Sequence, residues 1–464
     1  MQLTGRQMPF GSGAARPGGW RLAAYVAAIV GMLLLARGLR SGDVTNPLLP
    51  PPTPTRNAAS FSEEAEAHFS AGNLERAVGA LQSAVAVEPD SAQGLAELAR
   101  VQTYYSSLSP NFELRQQRLA GARDSIDRAL TADPDSGYAQ AIRALVYDWS
   151  ASAEESAQRE KYLAEAEGAA TRALQLESGG TLVHSLALAF SAEVLVDQQR
   201  PAEAEDRAAQ AAAQAPDSMD VHRVYGTVLQ ATGQYRASID EFLQATAINP
   251  NLTFLYLQIG ANYRRLRDVE NALDYFDRAV RINEQNGVRD PLPYLSIART
   301  YIQQGEFFIA ARNVERALGI DVSNAGTWGL LGAVYYRARN YESALEVLRC
   351  AVDGCDEVES RRLLCQFVFG CDPQDPQDAV ASGLTQPVVG LALRSDTLEY
   401  YYTYDSVLAF YGECDDSERV SRDLMSQYGT DAVVAGIVAD NRALCARVPA
   451  PGTPEPDQTP SPTP

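Results

Sequence analysis

Between Gly326 and Val352 the chain reads GTWGLLGAVYYRARNYESALEVLRCAV. Apolar residues recur at helical spacing on both sides of a polar break, Ala338–Arg339–Asn340. The stretch therefore predicts two amphipathic helices joined by a tight turn. Within it, Gly332 and Ala344 are small, whereas Trp328, Leu331, Tyr335 and Leu348 are large. Small residues let two helices approach, and large ones fill the space left between them. The arrangement recurs upstream: Gly260 and Gly226 answer Gly332, Phe276 and Phe242 answer Leu348, and Tyr301 and Tyr263 answer Tyr335. Ala245, Ala279, Ala317 and Ala351 follow one another at steps of 34, 38 and 34 residues. A fixed period of this size marks a solenoid, in which each unit buries its apolar stripe only against its neighbours.

The pattern W-x2-LG-x2-Y … A-x3-L-x2-A, carried by Trp328, Leu331, Gly332, Tyr335, Ala344, Leu348 and Ala351, resembles the tetratricopeptide repeat. Residues 219–252 fit it through Gly226, Ser238, Phe242, Ala245 and Pro250, and 253–286 through Tyr256, Gly260, Tyr263, Ala272, Phe276 and Ala279. Looser matches upstream close on Ala77, Leu81, Ala84 and Pro89, on Ala122, Ile126, Ala129 and Pro134, on Ala166 and Ala173, and on Ala204, Ala211 and Pro216. The resemblance implies an all-α, TPR-like α-solenoid, a right-handed superhelix of helix-turn-helix repeats. About eight units are expected, at 58–91, 92–136, 137–180, 181–218, 219–252, 253–286, 287–324 and 325–358. The upstream spacings of 45, 44 and 38 imply insertions, one of them YYSSLSPNFEL from Tyr104 to Leu114, and such insertions are expected in loops.

After Asp356 the period blurs, so 359–397 reads as a degenerate repeat, with a first helix from Val358 to Gly370 and a loop with a short helix after it. It recovers over 398–446 as a helix pair plus a capping helix, with Tyr401, Tyr404 and Leu408 at first-helix core places and Ser417 and Leu424 in the second. The Pro/Thr-rich tail at 447–464 is expected to be disordered. At the other end, a polar segment (1–19) precedes the apolar run Leu22 to Ala36, bounded by Arg21 and Arg37. Residues 20–39 read as a transmembrane anchor or signal-anchor, and 40–57 as a Pro-rich linker.

Composition narrows the function. The 464 residues carry a net charge of −20, which argues against nucleic-acid binding because that needs a basic field. The six cysteines, Cys350, Cys355, Cys365, Cys371, Cys414 and Cys445, are even in number and confined to the C-terminal third. They are disulfide candidates and suit an oxidising compartment, so the body is expected outside the cytoplasm of a membrane-anchored bacterial-type protein. Cys414 and Cys445 are placed to pair; the spacings of the other four fit a zinc site poorly.

The sequence offers no HExxH, Walker loop, G-x-S-x-G or Rossmann glycine set, and no cofactor or metal is expected. By the resemblance, first-helix residues line a concave groove. The matching places are Arg223, then Leu257, Ala261 and Arg264, then Leu295, Arg299 and Ile302, then Ala333 and Tyr336, with Tyr402 beyond. Arginines on an otherwise acidic body select acidic or C-terminal peptide segments, because desolvated Arg–carboxylate pairs are strong and directional; pairing with local Asp and Glu is the alternative. The expected function is a membrane-tethered, non-catalytic scaffold for a protein or peptide partner. The competing reading is a hydrolase, transferase or carbohydrate-binding module in 359–446, where the run EYYYTY could form a sugar-stacking surface.

Overall fold

The structure, a computed structural model, describes residues 19–41, 56–109, 112–153, 157–371 and 386–447. It falls into two units, Met1–Arg56 and Asn57–Pro464. The first contains helix α1 (Gly19–Ser41), where the sequence places the anchor. Among the described residues no helix is long and apolar enough to cross a membrane. The uncharged run between Arg21 and Arg37 reaches about 22 Å as helix, against a hydrocarbon core of about 30 Å. The linker core (42–55) and most of the polar segment and tail lie outside the described residues.

The second unit is built from antiparallel helix pairs. They are α2 (Ala58–Ser70) with α3 (Leu74–Val87), α4 (Ala92–Ser106) with α5 (Phe112–Ala132), α6 (Gly137–Ser152) with α7 (Ala157–Leu176), and α8 (Leu182–Asp197) with α9 (Pro201–Gln214). There follow α10 (Met219–Ala231) with α11 (Tyr235–Ile248), α12 (Thr253–Arg265) with α13 (Val269–Asn286), α14 (Leu292–Gln304) with α15 (Phe307–Ile320), and α16 (Ala325–Arg337) with α17 (Tyr341–Asp353). Several of these helices start where the sequence places Asn, Ser or Thr. The side chains of Asn73, Ser91, Ser136, Thr181, Asn324 and Asn340 each accept from the backbone N–H three residues on. In the polar break of the opening segment Arg339 takes a left-handed φ of 63° and ends α16.

Inside a unit the small–large pairing has a direct physical meaning. A Cβ added to Gly260 would lie 2.4 Å from the Phe276 ring, and one added to Gly332 would lie 2.4 Å from Leu348. Any larger residue would push the paired helix away. The upstream units depart from the expected loop insertions. Their extra residues lengthen the second helices instead, to 21 residues in α5 and 20 in α7, against 14 in α9 and α11. A solvent-facing helix end absorbs added turns without disturbing the neighbour's packing.

Helix α18 (Glu357–Leu364) runs into a π-helical turn, Cys365–Phe369. The expected short helix falls within 372–385, outside the described residues. The chain returns at Gln386, pairs Val388 with Cys355 in an isolated antiparallel bridge, and continues into α19 (Leu398–Tyr411), α20 (Cys414–Tyr428) and α21 (Ala432–Cys445). Disulfides join Cys350 to Cys355, Cys365 to Cys371 and Cys414 to Cys445. The last ties the first residue of α20 to the last of α21, so these four-cysteine and two-cysteine groups hold no thiolate for a metal.

The array curls until its early units meet its later ones. Asn251 Nδ2 donates to the Ser70 carbonyl at 2.9 Å. Arg100 Nη1 donates to Asp220 at 3.0 Å, and the Tyr104 ring stacks on Phe254 at 5.5 Å. One continuous core consequently runs from Ala65 to Tyr275. Between the turns lies a hollow of about 450 Å³ lined by Glu75, Arg76, Tyr105, Arg118, Arg289 and Asp290.

Asp290 is only 3% exposed, and its carboxylate accepts from Leu292 N at 2.9 Å and Asn283 Nδ2 at 3.3 Å. Burial pushes its carboxyl up from the ordinary 3.8 to about 6, despite those bonds and the charge of Arg118. A raised folded-state value means that the group favours the folded chain when protonated and loses that contribution as pH rises through 6. Asp290→Asn, which keeps the cap, should match the parent at pH 4 and exceed its stability by roughly 2–3 kcal/mol at pH 7.5. Urea melts at the two pH values check this; equal differences at both would contradict it.

Candidate binding surface

The groove positions read from the sequence separate into three groups. The first is interior. Arg223, on α10, is 3% exposed, and its Nη1 and Nη2 each donate to Glu193 at 2.8 Å. Its guanidinium lies 5.4 Å from the ring centres of Tyr104 and Trp149. Trp149 Nε1 donates to the same Glu193 at 3.1 Å. Arg223 is thus not a groove residue: the curl that brings α4 onto α10 and α12 has turned the first units' concave face into core. Leu295 is likewise core, 5% exposed against Ala298 and Trp328.

The second group is half-buried packing. Leu257 lies against the Ala272, Phe276 and Ile297 cluster. Tyr336 sits 5.4 Å from Tyr341, which in turn meets Phe410 at 5.0 Å. Tyr402 packs into the C-terminal core, where Tyr401 is 8% and Tyr404 0% exposed. Tyr404 donates to Asp353 at 2.7 Å. Two rings of the EYYYTY run are therefore wedged between helices and unavailable for stacking on a sugar.

The third group carries charge without a counter-charge. Arg264, half-buried at the end of α12, places its guanidinium 5.8 Å from the Phe276 ring centre and donates from Nη1 to the Ser296 carbonyl at 3.4 Å. Burial lowers its pKa, and the charges of Arg299 and Arg265 lower it further. Arg299, one helix over, is exposed. Among the described residues neither Arg264 nor Arg299 has an ion pair within 4.0 Å, whereas Arg100 and Arg223 are both neutralised. Tyr400 completes the neighbourhood. The charge of Arg299 acts on its phenol, and its ring lies where a Cβ on Gly329 would be, 2.6 Å away. Tyr400, part of the EYYYTY run, comes from the C-terminal pair and was not among the expected groove positions; Gly329, the first glycine in GLLG, is where its ring crosses α16.

Stacked antiparallel helix pairs with small residues at the pair crossings define a helical-repeat solenoid. The tetratricopeptide repeat model matches residues 62–103, 191–252, 224–287 and 295–357, so the chain carries tetratricopeptide repeats over those residues. The stretch left unmatched, 104–190, contains the two lengthened second helices. Anaphase-promoting complex subunit 3 of Schizosaccharomyces pombe is 30% identical over 121 residues, which is 26% of this chain and 18% of that protein's length. Several solved structures are similar to the chain at low identity. Human IFIT1, as a dimer with m7Gppp-AAAA, matches with a TM-score of 0.43 and 18% identity over 64% of this chain and 72% of that one. A thermophilic TPR protein of Thermus thermophilus gives 0.35 and 14% over 44% and 98%, and Pseudomonas aeruginosa PilF gives 0.35 and 17% over 49% and 99%.

Proposed function

We propose that the chain is a binding scaffold for an acidic peptide segment or chain terminus, held at Arg264 and Arg299 beside Tyr400. One observation carries this reading. Two like charges act on each other, that of Arg264 partly desolvated, on a protein whose net charge is −20, and no carboxylate among the described residues lies within 4.0 Å of either guanidinium. Such an arrangement costs free energy until an anion arrives, and a carboxylate between two guanidinium groups forms short, charge-assisted hydrogen bonds. Helical repeats supply the rigid backing on which such a site keeps its geometry.

The test is anisotropy of a fluorescein-labelled Asp/Glu-rich peptide with a free C-terminus. Arg264→Ala with Arg299→Ala should abolish capture and leave the melting temperature unchanged. Capture that survives the double substitution would remove the basis of the reading.

A further inference from the structure

A second hollow lies on the opposite electrostatic footing. It measures about 270 Å³ and is bounded by the ends of α4 (Ser106, Ser107) and α6 (Asp148, Trp149, Ser152), by Glu193 and Asp197 on α8, and by Thr227 on α10. Arg115 of α5 stands at its rim. Asp148 is 3% exposed, yet its Oδ1 has no hydrogen-bond partner among the described residues. A buried carboxylate oxygen left unpaired is costly, and native structures seldom tolerate one without a reason.

The hydroxyls around the hollow are already committed as donors. Ser106 donates to the Thr103 carbonyl at 2.7 Å, Ser107 to Tyr104 at 2.7 Å, Ser152 to Trp149 at 2.8 Å and Thr227 to Arg223 at 3.0 Å. What they turn to the cavity is oxygen lone pairs. Trp149 N–H is spent on Glu193, and both Nη atoms of Arg223 are too. Arg159 holds Asp197 at 3.6 Å. Apart from the guanidinium of Arg115, whose pKa burial lowers, the lining is therefore rich in acceptors and poor in donors, and a ligand must bring further donors. Among the described residues no three carboxylates, histidines or cysteines converge closely enough to hold a metal ion. The volume falls just under the range of small-molecule pockets, about 300–1,000 Å³, and suits one side chain.

We propose that this hollow binds an alkylammonium or guanidinium group, with Asp148 Oδ1 as its counter-charge and the indole of Trp149 as a wall. Asp148 faces Glu193 and Asp197, which raise its pKa together with burial, and Arg223 and Arg159, which lower it; burial dominates. The cation therefore binds as Asp148 releases its proton, and binding strengthens as pH rises.

Calorimetric titration of the full chain tests this, using N-acetyl-arginine amide, N-acetyl-lysine amide and n-butylammonium, with n-butanol as the uncharged control. The intact protein should bind at least one cation saturably, with proton release visible as a buffer-dependent enthalpy. Asp148→Asn should weaken that binding about tenfold or more. Asp197→Asn and Thr227→Val, at less buried positions, should weaken it several-fold if Asp148→Asn does not fold. The Arg264→Ala/Arg299→Ala protein should bind as the parent does, which separates this site from the acidic-peptide site. Tighter binding of the capped amino acids assigns the cation to a partner's side chain, and equal binding of butylammonium assigns it to a free amine. Saturable binding by none of the cations, equal binding of butanol, or an Asp148→Asn protein that folds and binds like the parent overturns the proposal.

Discussion

Arg223→Ala lowers the unfolding free energy by about 3–5 kcal/mol, as read from urea denaturation at neutral pH. The substitution removes one half of a buried pair and leaves the other in place. Glu193, 8% exposed, keeps only the Trp149 N–H and faces Asp148, a second buried carboxylate. The rings of Tyr104 and Trp149 lose the cation between them. Arg223→Met combined with Glu193→Leu should cost far less, because apolar replacement of both partners leaves no orphaned charge. A loss below about 1 kcal/mol in Arg223→Ala would mean that water reaches Glu193 and that the axis of the first turn is not sealed.

Trp328→Ala is expected to cost a similar amount, about 3–5 kcal/mol, through a cavity that the neighbouring helices cannot close. The indole is 0% exposed, and its Nε1 donates to the Val322 carbonyl at 2.9 Å, an acceptor left unpaired by the change. It packs with Leu331 and Val347 in the core built from α14 to α18. Hydrogen exchange should consequently accelerate over α14–α21, while α2–α9 keep their protection. Uniform acceleration along the whole chain would contradict a local role.

The helix pairs were legible because a packing requirement writes itself into the chain at fixed intervals. Gly260 must be small since Phe276 occupies its neighbour's space, and Gly332 since Leu348 does. The candidate surface was only half legible. Arg223 sits at the same register as exposed groove residues in the repeat, and nothing local distinguishes it. Its burial comes from Tyr104 and Glu193, 119 and 30 residues away, through the curvature of the assembled units. Arg264 and Arg299 lack a carboxylate within 4.0 Å among the described residues, although the repeat resemblance reads them, like Arg223, as groove positions. Asp148 carried no sequence signal, since a lone aspartate at the end of a helix reads as surface.

A rod of independent repeats can be shortened one link at a time. This one cannot be shortened from its amino end, because Ser70 is held by Asn251 and Arg100 by Asp220. Taking away α2–α5 would strip Tyr104 from Phe254 and Arg223 and open the axis to water. The smallest block that can be gained or lost there without leaving a wound is the whole first turn.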